Sequence, residues 1–514
     1  MRRIANSPRI PPMISVRQVC GLFMVLGLVF AVVWLMEPER AEAIPVFSRK
    51  YGTSCQTCHI AFPKLNAFGE AFRLNGYQFP AGDEEFRVIE PIELGAERWK
   101  MVWPETIWPG MLPGQLPLSM RVSGTFDFDL DPVAGQPQSV ASYPKAVNLL
   151  GAGAFHDDIS FWMGAHLFQN GQAGSVERAL LQFNDVLGDL QHAKNVSIRL
   201  GKFEPDVAPF SSHRRMVLTD YLLNTYNIEQ GGIISGGGHQ HEGGFSFSNS
   251  VTGVELVGLT GSRTAYVIGL GSSAPQGTEH DSLLEDYYAR VMWKWGGLGF
   301  NGAPIGESYI ITEEEEEEDN DEVDLVPAAA EEAEDSPGIV YEGLDVLRYG
   351  KDGQTPLAGQ TTQTMAQEAV QVERAPMPWE DDSFRLGLFG YMGNNSTPGS
   401  TIGDFYRVGI DARWMERDLD LFGAYMHAAD SPRDGAPDLE FDAWFTQGDY
   451  VIYPWLIGSM RYEEVQPDGF GTISRWVPSV TIMQRANIKW TIEAQLYPNN
   501  NGNGLLQVGV DFAF

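Results

Sequence analysis

The end of the chain alternates residue by residue. Leu506, Val508, Val510, Phe512 and Phe514 fall on one face, and Gln507, Gly509, Asp511 and Ala513 on the other. That period of two is the signature of an extended strand with unlike faces. It recurs far upstream. Met120, Val122, Phe126 and Phe128 alternate with Arg121, Ser123, Thr125, Asp127 and Asp129. Ile159, Phe161, Met163, Ala165 and Leu167 alternate with Ser160, Trp162, Gly164, His166 and Phe168, and Tyr406, Val408 and Ile410 with Arg407, Gly409 and Asp411. A soluble sandwich also alternates. An apolar face opposite Arg, Asp and Gly, repeated over strands of about ten residues, is expected when one side meets lipid and the other a polar lumen.

Three details agree with a membrane barrel. No apolar run after residue 43 is long enough for a spanning helix. Thirteen Trp and 18 Tyr suit aromatic girdles at the two membrane surfaces. A terminal Phe514 directly after an alternating strand resembles the ending of bacterial outer-membrane barrels. The expected fold is therefore all-β: an outer-membrane antiparallel β-barrel of about 16–18 strands, spanning 116–514. Eight strands are expected after residue 382, the first near 383–394 and the last near 503–514, and nine or ten before residue 300. Short turns such as Asp157-Asp158 and Glu416-Arg417-Asp418 would face the periplasm, and longer links such as 131–145 and 430–437 the outside.

The amino-terminal region reads differently. Arg2, Arg3, Arg9 and Arg17 precede an apolar run from Cys20 to Met36, and Ala41-Glu42-Ala43 is a small-x-small cleavage site. Residues 1–43 are expected to be a secretory signal peptide, leaving Ile44 first. A retained membrane anchor is the alternative, with a run at the short edge for spanning. Removal leaves 30 basic and 65 acidic residues, a balance that argues against nucleic acid as a partner.

Cys55-Gln-Thr-Cys58-His59 follows at once. CxxCH is the attachment sequence of c-type haem: two thiols add to the vinyl groups and the histidine ligates iron. Zinc would call for four ligands, and no second CxxC pair is present. A thioredoxin-like pair would need a βαβ setting, and a disulfide would not require His59. The expectation is one covalent haem c on Cys55 and Cys58, with His59 as the proximal iron ligand. Met101, Met111 and His166 are candidates for the distal position. Leu65, Phe68 and Phe72 recur at helical spacing between Pro63 and Gly76, predicting a small N-terminal α-helical haem segment within 44–115. That segment has too few residues for a full core of its own, so the barrel lumen is the expected second wall.

Two stretches interrupt the barrel pattern. The first, 204–242, carries His213, Arg214 and Arg215, which could face haem propionates if the loop folds inward. A surface loop whose bases balance local acid is the plainer reading. The second is an insert at 301–382, where 313–335 hold 14 carboxylates and no base. Its low apolar content predicts disorder. A solvated loop, a docking tether for a basic redox partner, or a cation-collecting loop outside the cell are its possible roles. Counting eight strands back from a periplasmic Phe514 places it in the periplasm.

Pro45-Val46-Phe47-Ser48-Arg49-Lys50-Tyr51-Gly52, the Cys55–His59 motif, then Pro63, Leu65, Phe68-Gly69, Phe72 and Gly76-Tyr77 resemble the fused monohaem cytochrome–porin family of bacterial outer-membrane iron-oxidising cytochromes. The resemblance implies an N-terminal c-haem module in or beneath an outer-membrane barrel. It also implies Fe(II) outside as electron donor and a periplasmic c-type cytochrome as acceptor. The acidic insert departs from that pattern. Two other functions share the parts: a conduit run outward to an external acceptor, and a solute porin with a haem-bearing plug. There is no Walker loop, Rossmann fingerprint or HExxH motif.

Overall fold

The structure, a computed structural model, describes residues 45–305 and 377–514, except 81, 96, 106–109, 131, 133–137, 157, 189–195, 228–231, 234–244, 249, 274–284, 395–401 and 499–503. The expected signal peptide and most of the acidic insert lie outside the described residues.

Sixteen strands close into an antiparallel barrel. The first eight are β1 Leu118–Asp129, β2 Ser139–His156, β3 Ile159–Gln169, β4 Val176–Phe183, β5 Val196–Phe203, β6 Val251–Thr260, β7 Thr264–Ser272 and β8 Asp286–Trp295. The second eight are β9 Ser383–Asn394, β10 Ile402–Glu416, β11 Leu419–Pro432, β12 Leu439–Tyr453, β13 Leu456–Pro467, β14 Ile473–Arg485, β15 Ile488–Leu496 and β16 Gly504–Ala513. The ring shuts where β16 pairs with β1, Val508 opposite Phe126 and Phe512 opposite Val122. Phe514 extends this seam: Met120 N–H donates to the Phe514 carbonyl at 2.7 Å, and Phe514 N–H donates back at 2.9 Å.

The alternation reads out as expected. Arg407, Asp411, Gln507 and Asp511 are buried in the lumen, while Tyr406, Val408 and Ile410 are exposed on the outer wall. A wall with its charges inside and its apolar side chains outside is the reverse of a soluble protein and suits a bilayer. Closure leaves no unpaired edge in the hydrocarbon. Exposed aromatics form two belts. Tyr287 and Tyr406 mark one, Trp295 and Trp414 the other, each pair eight residues apart on its strand. Eight residues of tilted strand cover roughly 20 Å of membrane depth. Among the described residues no helix is long and apolar enough to cross a membrane. The protein is a sixteen-stranded antiparallel β-barrel of the bacterial outer membrane.

The eight strands after 382 stand as expected. Before 300 there are eight among the described residues, not nine or ten; the short Gln172–Ala173 only extends the link between β3 and β4, which pair directly with each other. Between β5 and β6 the described residues hold the helical turn Leu222–Thr225 and a two-residue ladder of Tyr226–Asn227 with Gly232–Ile233. Apart from 184–195 and 296–382, the short links lie at the end where Phe514 sits, which is therefore periplasmic. The roots of the acidic insert, Trp295 and Ser383, are at this end.

Candidate functional site

The segment before β1 folds as a small unit. It starts with α1, Val46–Tyr51, which ends at Gly52 in the left-handed conformation (φ 61°). A single 3₁₀ turn, Cys55–Thr57, presents the motif, with Ser54 accepting a hydrogen bond from Gln56 N–H. His59–Ala61 pairs with Lys64–Leu65. Helix α2, Ala67–Leu74, is capped by Asn66, whose side chain accepts from Gly69 N–H. The helix begins two residues later than Leu65 would suggest, since that residue belongs to the ladder.

Asn66 ties the motif together. Its N–H donates to the Cys58 carbonyl at 3.0 Å, and its side-chain amide donates to the carbonyls of Gln56 (3.1 Å), Thr57 (3.0 Å) and Pro378 (2.8 Å). Pro378 lies just before β9, so the flank of the acidic insert packs on the cysteine turn. Gly69 is required here: a Cβ at this position would stand 2.1 Å from the Cys58 carbonyl oxygen.

Cys55 and Cys58 are both free thiols. Burial pushes both up, Cys58 to about 12. Burial also lowers His59 to about 4, so its imidazole is neutral at pH 7. Among the described residues no group completes a hydrogen bond to its buried Nδ1. Around the motif stands an aromatic shell, with Phe47 edge-on to Phe72 at 4.9 Å, Tyr51 against Phe79 at 4.4 Å, and Phe68 against Phe79 at 5.1 Å. Two unjoined thiols, an adjoining neutral imidazole with an unpartnered nitrogen, and apolar walls suit a covalently bound porphyrin iron.

The barrel supplies the other wall. Lys64 bridges Asp420 and Asp449 of β11 and β12, both at 2.5 Å. Gln56 donates to the Pro454 carbonyl in the turn between β12 and β13 (3.0 Å). Ile60, Ala61 and Phe62 join Trp379, Met415, Val451, Ile457, Met483 and Met216 in one apolar cluster. The motif is thus lodged in the periplasmic mouth.

The loop after β5 enters from the other end, not lying on the surface as the plainer reading had it. Wall charges fasten its backbone. Glu493 accepts from Leu218 and Thr219 N–H (2.8 and 3.0 Å), and Glu463 from Leu222 N–H (2.7 Å). Arg475 donates to the Asp220 carbonyl at 2.7 Å and Arg290 to that of Ala208 at 2.9 Å. Loop and plug meet where Arg73 of α2 pairs with Asp206 at 2.5 Å. The lumen is occupied from both sides.

The remaining candidates fall elsewhere. His166 pairs through Nδ1 with Asn148 (2.5 Å) and through Nε2 with Glu177 (3.1 Å). Met101 is 82% exposed on the helix Glu97–Val102, and Met111 lies in a two-residue ladder with Ile92–Glu93. His213 pairs with Glu177 (2.7 Å) and Glu204 (3.2 Å), Arg214 with Glu204 (3.2 Å), and Arg215 with Asp220 (3.7 Å). Their partners are protein carboxylates. Sequence reasoning passed over Met216, Met415 and Met483, which the fold gathers beside the residues that follow His59. Met415 and Met483 are inward positions on their strands, but many inward residues are not ligands and nothing local marks these.

No family model matches the chain, and no curated protein matches it. Among solved structures, the anion-selective porin from Comamonas acidovorans is similar at 8% identity with a TM-score of 0.46, covering 77% of this chain and 98% of that one. OmpF of Salmonella typhi, in complex with daunomycin, is similar at 10% identity and a TM-score of 0.43, over 77% and 97%. The DcaP outer membrane channel of Acinetobacter baumannii gives 11% and 0.41, over 77% and 96%.

Proposed function

We propose that this outer-membrane barrel carries electrons across the membrane, taking them from Fe(II) outside and passing them to a periplasmic c-type cytochrome. The reading rests chiefly on one observation: the Cys55–Cys58–His59 turn is wedged into the lumen at the periplasmic mouth, and among the described residues His59 Nδ1 has no hydrogen-bond partner. Cys55 and Cys58 would anchor one haem c and His59 would ligate its iron, which supplies reversible one-electron chemistry. Lys64 and Asn66 hold the turn against the barrel, and the aromatic shell excludes water from it. The flank of the acidic insert reaches the same turn, which would bring its carboxylates to the side where a basic acceptor docks.

The filled lumen weighs against a freely open solute porin. The test pairs two assays on purified protein. Prompt haem reduction by Fe(II) with little solute flux supports the conduit. Haem that responds only to dithionite would favour an outward conduit, and large solute flux would favour a porin with a haem-bearing plug.

A further inference from the structure

A cavity of about 60 Å³ lies in the lumen where the plug, the inward loop and the wall meet. That is room for roughly four or five waters. Six cations line it: Lys64 and Arg73 from the plug, Arg214 from the loop, and Arg290, Arg385 and Arg413 from β8, β9 and β10. Only two carboxylates, Glu70 and Asp206, share the lining. Asp411, Asp420 and Asp449, which pair with the wall cations and Lys64, are not among the lining residues.

Compensation is uneven. Arg413 has Asp420 through two bonds (2.8 and 2.9 Å), and Lys64 has two aspartates. Arg290 takes both oxygens of Asp411, at 2.7 and 2.8 Å. Arg385 reaches that same carboxylate only at 3.3 Å, and otherwise lies over the Phe210 ring at 5.5 Å. Two guanidinium groups thus share one aspartate. The Nε atoms of Arg73, Arg290 and Arg385 are buried with no hydrogen-bond partner among the described residues, and Arg290 is only 6% exposed. Buried N–H groups without partners are costly. Forked donors converging on a small void are the geometry that recognises an oxyanion.

We propose that this cavity is a binding site for a small oxyanion, with Arg385 as its principal unclaimed donor. The chemistry is that of a sulfate- or phosphate-type ion, or of the carboxylate of a porphyrin held by the neighbouring plug. The site is read from the cavity and does not require the electron-transfer role.

The full chain in detergent is titrated with sodium sulfate, balanced against chloride at constant ionic strength. Calorimetry and the thermal midpoint are read for wild type and for a Cys55→Ser/Cys58→Ser variant that cannot attach haem. Saturable sulfate binding in both identifies a free-ion site. Binding confined to the haem-free variant identifies the porphyrin carboxylate as the usual occupant. Arg385→Gln is expected to weaken binding about tenfold or more, with Arg385→Lys intermediate and Arg433→Gln, a distant loop change, neutral. Should Arg385→Gln fail to assemble, Arg73→Gln tests the same void from the plug side. No sulfate-specific binding in either background, or binding that none of these cavity variants weakens, overturns the proposal. Haem staining of the same samples reports separately on the functional reading.

Discussion

Gly69 shows how little room the site leaves. With a Cβ placed 2.1 Å from the Cys58 carbonyl oxygen, helix and cysteine turn cannot keep their present spacing. Gly69→Ala is expected to cost about 1–3 kcal/mol in plug packing and to lower the yield of haem-stained protein in outer membranes. Unchanged yield would show that the turn tolerates displacement. Lys64 is the second sensitive point. Lys64→Met leaves Asp420 and Asp449 without their shared ammonium in a buried place. Removing one partner of such a group costs about 3–5 kcal/mol. The plug should then become cleavable by protease at the periplasmic side, and a resistant plug would move the anchoring role to Asn66 and the apolar cluster. The CxxCH motif was legible because five residues encode it locally. Asn66 and Lys64 were not, because the groups they serve lie across a turn or hundreds of residues away, and Gly69 stood out only through the family resemblance, not through the contact with Cys58 that requires it.

The inward loop is an element whose hold depends on pH. Burial and nearby Arg178 oppose a charge on His213, yet Glu177 and Glu204 outweigh them and raise its pKa above 6.5. A raised histidine stabilises the fold fully below the unfolded value and loses that contribution as pH rises through the folded one. The loop should therefore be held most firmly below about pH 6.5 and loosen above it. Limited proteolysis across pH 5–9 would read this, with His213→Gln expected to flatten the profile; a wild-type profile already flat would contradict it. Strand elements were well marked in the sequence, since β9 to β16 fall within a few residues of the alternating segments. The loop was not. Its contacts, such as Leu218 with Glu493 and Asp206 with Arg73, join positions too far apart to leave a local pattern.

At the scale of the molecule, a barrel filled from both ends is a different device from an open pore. Planar-bilayer recordings should show conductance far below that of an unplugged barrel of sixteen strands, and deletion of residues 45–115 from the mature chain should raise it. Large, steady pores in the intact protein would contradict the occluded lumen. Fold class was readable because lipid outside and charge inside impose a period of two on every strand. The side from which the insert leaves the barrel was readable only through strand parity, and its roots, Trp295 and Ser383, lie at the periplasmic end.

The most direct measurement is an absorbance spectrum of the purified protein before and after anaerobic Fe(II). A c-type spectrum that turns reduced promptly, and is lost in His59→Ala, is the expected result. A protein without covalent haem would contradict it, leaving an acidic barrel with a pair of free cysteines.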